Sequence, residues 1–98
     1  MSGYNEEMTK FRRLAILERL SDAPSYTLHE HAIKIGLAEQ GQAVGTDVLR
    51  ADLQWLGEQG LVYCKHPDGI WMATLTAQGN DVRQGLSKNP GIALPEPK

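Results

Sequence analysis

Thr46-Asp47-Val48-Leu49-Arg50-Ala51-Asp52-Leu53-Gln54-Trp55-Leu56-Gly57-Glu58-Gln59-Gly60-Leu61-Val62 is the stretch on which the fold turns. Thr46 suits an N-cap, since its hydroxyl can accept from a free amide of the first turn, and Asp47 sits where the helix dipole favours negative charge. Leu49, Leu53 and Leu56 recur at i, i+4, i+7 and make one inward stripe. Gly60 ends the helix, because a residue without Cβ takes positive φ at little cost. Leu61 then drops into the same core as Leu53 and Leu56.

Downstream, Leu61-Val62-Tyr63-Cys64 and Ile70-Trp71-Met72-Ala73-Thr74-Leu75 are two β-rich runs around Pro67-Asp68-Gly69, which predicts a hairpin. Val62-Tyr63-Cys64 is expected to pair with Trp71-Met72-Ala73, leaving a projecting tip at Lys65–Gly69. Thr76 caps a last, weaker helix that carries Val82 and Leu86 despite Gly79. From Ser87 on, Asn89-Pro90-Gly91 and Pro95-Glu96-Pro97-Lys98 predict a loosely attached tail over 87–98, beside a single domain over 1–86.

Upstream, the spacing predicts a helix from Glu7 to Leu20 after a mobile start. Met8, Phe11, Leu14 and Ala15 gather on one side of it, and Ile16, Leu17 and Leu20 on another. Either both faces are buried within one chain, or one of them meets a partner. Ser21–Ser25 is turn-rich, and Tyr26 is expected in a short extended segment. Thr27, with Glu30 three residues on, has the form of a capping box, so a second helix is expected to start there. Leu28, Ala32 and Ile35 would face inward and Ile33 and Leu37 would lie off that face, with Gly41 as the C-cap. The order is helix, short strand, helix, helix, hairpin, helix: mainly α with a small antiparallel β-hairpin.

The run from Thr46 to Val62 resembles the third helix of winged helix-turn-helix regulators, in which Leu-x-x-Leu is followed shortly by Gly-Leu-Val entering the wing. Ala73-Thr74-Leu75-Thr76-Ala77-Gln78-Gly79 is similar to that family's return strand and Leu-Thr-x-x-Gly opening of the final helix. The resemblance covers residues 11–86. It implies a three-helix core, a wing over 61–75 and a C-terminal helix, in a small bacterial or phage DNA-binding protein of the cytoplasm that regulates transcription. Recognition helices read bases mainly from their N-terminal half. Thr46, Asp47, Arg50, Ala51 and Gln54 would then face double-stranded DNA, with Lys65 and His66 on the adjacent backbone. Arg50 would pair with guanine O6 and N7, and Gln54 with adenine N6 and N7. Placed outward, Arg50 is expected to be dispensable for folding. Winged helices also dock proteins, and that is the alternative reading.

Charge tempers the DNA reading. The 98 residues carry 10 Lys and Arg against 12 Asp and Glu, for a formal charge of −2. Phosphate neutralisation dominates DNA affinity, and Asp47 and Glu58 share the proposed recognition face. A homodimer would double the sparse basic contacts and use surplus apolar surface. Met8, Phe11 and Leu14 are its first candidates, then Ile33 with Leu37, then Val48 with Trp55; intramolecular packing is favoured for Trp55.

No apolar run reaches the ~18 residues of a membrane span. One cysteine excludes an internal disulfide. His29 and His31, two apart on a helix, would point away from each other, and Cys64 with His66 is only half of a zinc site, so no metal or other cofactor is expected. Cys64 reads as a half-buried small hydrophobe. No phosphate-cradling glycine loop, G-x-S-x-G or H-E-x-x-H occurs, and no enzymatic activity is expected.

Overall fold

The structure, a computed structural model, describes residues 3–96. These form α1 (Gly3–Ser21), a 3-10 turn (Pro24–Tyr26), β1 (Thr27–His29), α2 (Glu30–Glu39), α3 (Thr46–Glu58), β2 (Val62–Lys65), a second 3-10 turn (Pro67–Gly69), β3 (Met72–Leu75) and α4 (Ala77–Gln84). Four helices thus pack around a three-stranded antiparallel sheet in the order β1-β3-β2. The expected hairpin is present and gains a third strand.

In α3 the inward stripe is as the spacing requires: Leu49, Leu53 and Leu56 are fully buried, and Leu61 joins them after Gly60 turns the chain at φ 76°. The N-cap is Gly45 rather than Thr46, one residue early and without a side-chain cap. The hairpin register differs by two residues from the expected pairing. Val62 faces Leu75, Tyr63 faces Thr74 and Cys64 faces Ala73. Residues 66–71 are left for the connection, which holds a 3-10 turn and is longer than the Pro-Asp-Gly signal alone suggests.

Helix α2 is where the capping-box reading fails. Thr27, Leu28 and His29 pair with Thr74, Ala73 and Met72, because β3 offers these backbone groups an open edge. Thr27 and Thr74 also join their hydroxyls at 2.8 Å. The helix therefore starts at Glu30, capped by His29, whose Nδ1 accepts the Ala32 N–H. Its buried face is Glu30, Ile33, Gly36 and Leu37 at i, i+3, i+6, i+7, while Ile35 is 62% exposed. Ile35 thus points outward where an inward position is expected, while Leu28 packs against the core from β1 and Ala32 is half-buried. Ile33 and Leu37 are core residues and leave the set of interface candidates.

Helix α1 begins at Gly3, earlier than expected, and spends both apolar faces within the chain. Leu14, Ala15, Ile16, Leu17 and Leu20 are all buried where α1 meets α2, α4 and β3. Leu14, only 6% exposed, cannot serve a partner, whereas Phe11 remains 47% exposed and Met8 half-buried.

The tail also departs from expectation. Ile92 is buried in the core cluster, the Ala93 N–H donates to the Lys10 carbonyl at 3.2 Å, and Asn89 donates to the Gln59 side chain. Gly91 lies so close to the Trp55 ring that a Cβ there would sit 2.4 Å from it. Arg13 completes the junction, donating to the Gly91 carbonyl at 3.3 Å and stacking 3.9 Å from the Trp55 ring. The domain therefore extends to about residue 93. Composition missed this because one Ile in a Pro- and Gly-rich segment carries no periodicity. Leu86, expected on the last helix, lies beyond it and is 76% exposed, because α4 stops at Gln84 and Gly85 turns the chain away at φ 82°.

Two substitutions check this core. Leu53→Ala and Ile92→Ala should each lower unfolding free energy by about 2–5 kcal/mol as large-to-small truncations. Urea denaturation followed by tryptophan fluorescence measures both. An unchanged midpoint for Ile92→Ala would mean that the tail is not docked.

Candidate nucleic-acid interface

Helix α3 presents Asp47, Ala51, Gln54 and Glu58 to solvent, with Val48 exposed at its edge. Thr46 lies half-buried at the start of this face and accepts a hydrogen bond from Lys34 Nζ at 3.0 Å. Gln54 donates to Glu58 one turn on, at 3.1 Å. Lys65 and His66 are exposed at the end of β2. Lys65 Nζ lies 5.9 Å from the Tyr63 ring, and His66 packs edge-on against Trp71, ring centroids 4.2 Å apart.

Arg50 is not a free outward side chain. Its Nε and Nη2 donate to the two carboxylate oxygens of Glu30 at 2.8 and 2.9 Å, the two-pronged geometry that the sequence reading reserved for guanine. Nη2 also reaches the Gly69 carbonyl at 3.4 Å. Nη1 is the one guanidinium nitrogen with no hydrogen bond among the described residues. Glu30 is itself buried, 2% exposed, and accepts the Trp71 N–H at 3.3 Å, while its own N–H donates to the Trp71 carbonyl at 2.8 Å. The hydrogen bond from Arg50 holds the Glu30 carboxyl down at about 2, against an ordinary value of 4.5; the Trp71 amide assists and burial opposes. The same hydrogen bond raises Arg50 above its usual value.

A second buried acid, Asp52, also lies on the inner side of α3. It takes hydrogen bonds from Arg12 and, at 3.3 Å, from Arg13. Arg12 and Arg13 are thereby committed to a buried acid. Both acids had a legible signal. Glu30 shares a face with Ile33 and Leu37, and Asp52 lies between Leu49 and Leu56, so each acid projects toward apolar neighbours and requires a cation.

His29 and His31 do not diverge, since His29 belongs to β1; their rings meet edge-on, 5.7 Å apart. Cys64 is half-buried and its Sγ donates to the Leu53 carbonyl at 3.6 Å; burial raises its pKa. Among the described residues no three His, Cys, Asp or Glu side chains converge as a metal site would need, and no helix is long and apolar enough to cross a membrane.

Over 94 residues the chain is 35% identical to the uncharacterized protein gp26 of Escherichia phage Mu, covering 96% of this chain and 97% of that one. It belongs to the family of phage Mu gp26. An uncharacterized protein of Haemophilus influenzae is 36% identical over 75 residues, 76% of this chain and 72% of its own length. No family model and no solved structure matches. The near end-to-end coverage of the gp26 relative means that the tail docked on Trp55 falls within the shared length.

Arg50→Ala leaves the Glu30 carboxylate buried without its cation, so this gp26-family domain should lose stability, against the expectation from sequence that the change spares the fold. Gln54→Ala, on the solvent face of the same helix, should leave the urea midpoint unchanged. A midpoint for Arg50→Ala equal to that of Gln54→Ala would contradict the ion pair. The pH dependence has a definite sign. Glu30 titrates lower in the folded chain than in the unfolded one, so its contribution is full above about pH 4.5 and disappears as pH falls toward 2. Urea midpoints at pH 5 and pH 3 should therefore fall less in Glu30→Gln than in the unmodified chain.

Proposed function

We propose that this gp26-family domain is a winged helix that binds double-stranded DNA and regulates transcription, with α3 in the major groove and residues 61–75 as the wing, its tip the 66–71 connection. The observation that carries this reading is spatial. The open polar face of α3 lies beside the 66–71 connection: Arg50 of α3 donates to the Gly69 carbonyl, and Glu30, which it pairs with, accepts from the Trp71 N–H. The element order and the β1-β3-β2 sheet agree with such a domain. On this arrangement Gln54 and Ala51 meet base edges, Gln54 exchanging its bond to Glu58 for one to adenine. Thr46, Lys34, Lys65 and His66 meet phosphates. Arg50, its side chain 38% exposed, contributes Nη1, the rest of its fork being committed to Glu30 and Gly69.

With so few cations, a two-fold dimer supplies the remaining phosphate contacts. Its interface draws on Phe11, Met8 and the exposed Leu94. Phe11 and Leu94 line one groove of about 1070 Å³ with Glu18 and Arg83, whose opposite charges suit self-pairing.

A second reading, a protein-docking domain, is favoured by the exposed Asp47, Glu58 and Asp68 beside Val48 and Ile70. Fluorescence anisotropy on duplex from upstream of the chain's own gene, at two salt concentrations and against a scrambled duplex, separates the two. DNA binding predicts sequence-preferring affinity that falls with salt, relaxed preference in Gln54→Ala, and a two-chain mass by light scattering. Folded protein that ignores both duplexes at low salt overturns the DNA reading and turns the search to protein partners.

A further inference from the structure

We propose that Glu30 and Arg50 form a latch that sets the position of the 66–71 connection, making both of them positioning residues for the wing. The functional half of this inference rests on the DNA reading above; the structural half does not. The strands on either side of the connection are four residues each, too short to impose an orientation on six residues beyond them. Within it, only the Gly69 N–H to His66 carbonyl bond (3.2 Å) and the Ile70 N–H to Pro67 carbonyl bond (2.9 Å) tie the backbone to itself. Asp68 sits at φ 52° and Gly69 at φ 80°, so the turn also holds a left-handed pair.

Its polar attachments to the rest of the fold come from one place, beside the half-buried packing of Trp71 against the core. Glu30 grips Trp71 twice, by its own N–H on the Trp71 carbonyl and by its carboxylate on the Trp71 N–H. Arg50, fixed by that carboxylate, donates to the Gly69 carbonyl and lies 5.9 Å from the Trp71 ring. His66 packs edge-on against the same ring. One buried carboxylate thus joins α2, α3 and the C-terminal end of the connection, Gly69 to Trp71. A carboxylate cannot stay in that interior without its cation, so the latch is closed whenever the domain is folded, and the wing is held ready before any DNA arrives.

Amide hydrogen exchange on the full chain tests the latch without DNA. In the unmodified protein the Trp71 amide should exchange as slowly as the paired amides of β3, while Asp68 exchanges fast. Glu30→Gln and the milder Arg50→Lys, which keeps the charge but not the two-pronged grip, should each speed exchange over 69–71 by about tenfold or more, the effect of weakening a charge-assisted hydrogen bond. Amides of Ile16 and Leu17 in α1 should speed only by the variant's change in global stability, less than those of 69–71. Fast Trp71 exchange in the unmodified chain, or unchanged 69–71 exchange in a folded variant, overturns the latch. The unmodified chain's own rates decide the matter even if both variants unfold.

The duplex titration adds the functional arm. Weaker DNA binding in Glu30→Gln, whose side chain is buried away from solvent, supports wing positioning. Loosened exchange with unaltered DNA affinity overturns that role and leaves the latch standing. A chain that binds no duplex refutes the DNA reading, with the exchange result still deciding the latch.

Discussion

A carboxylate removed from water must be neutralised where it lies, and Glu30 organises this domain around that requirement. Its charge stands at the first turn of α2, on the face that carries Ile33 and Leu37 into the core. Only a forked cation satisfies both oxygens at once, and Arg50 of α3 supplies it at 2.8 and 2.9 Å. Because the same carboxylate also receives the Trp71 amide, the spacing of α2 and α3 and the start of β3 are fixed together. Such a pair adds little net stability compared with an apolar substitute, since desolvation offsets attraction. What it contributes is a single permitted arrangement of three elements.

The second buried acid repeats the device on the opposite side of α3. Asp52 draws Arg12 and Arg13 inward, and Arg13 in turn covers Trp55 and holds the Gly91 carbonyl. Segment 89–93 is thereby part of the domain, although its composition reads as a loose end. The surplus apolar surface of α1 is resolved the same way, by enclosure within the chain, leaving Phe11 and its neighbours as the remaining exposed grease.

These commitments change the electrostatic account of the candidate interface. Arg12, Arg13 and most of Arg50 are spent on internal acids, so the open face of α3 depends on Gln54, Thr46, Lys34, Lys65 and His66. Recognition through such a face would rely more on shape, on the posture of the wing and on a second copy than on a field of positive charge.

How far the chain could be read depends on the range over which each signal acts. Helix α3, its Leu49, Leu53 and Leu56 stripe, the Gly60 exit, the hairpin and the Thr76 cap were legible because each rests on residues within about two turns of one another. The candidate face of α3 was legible for the same reason, since the stripe that points in defines the side that points out. Three features belonged to tertiary structure alone. Thr27–His29 became a strand because β3, some 45 residues later, offered an edge that competes with the local capping box. Ile92 became core because its neighbours Gly91 and Ala93 met Trp55 and Lys10. Arg50 became the cation of Glu30 because packing carried that acid opposite it; the spacing of Glu30 with Ile33 and Leu37 turns the acid inward but does not name its partner. Local sequence sets periodicity, caps and turns; which distant backbone edge or buried charge a residue answers to is decided only when the elements pack, because pairing and desolvation energies act over a few ångströms in space and carry no mark along the chain.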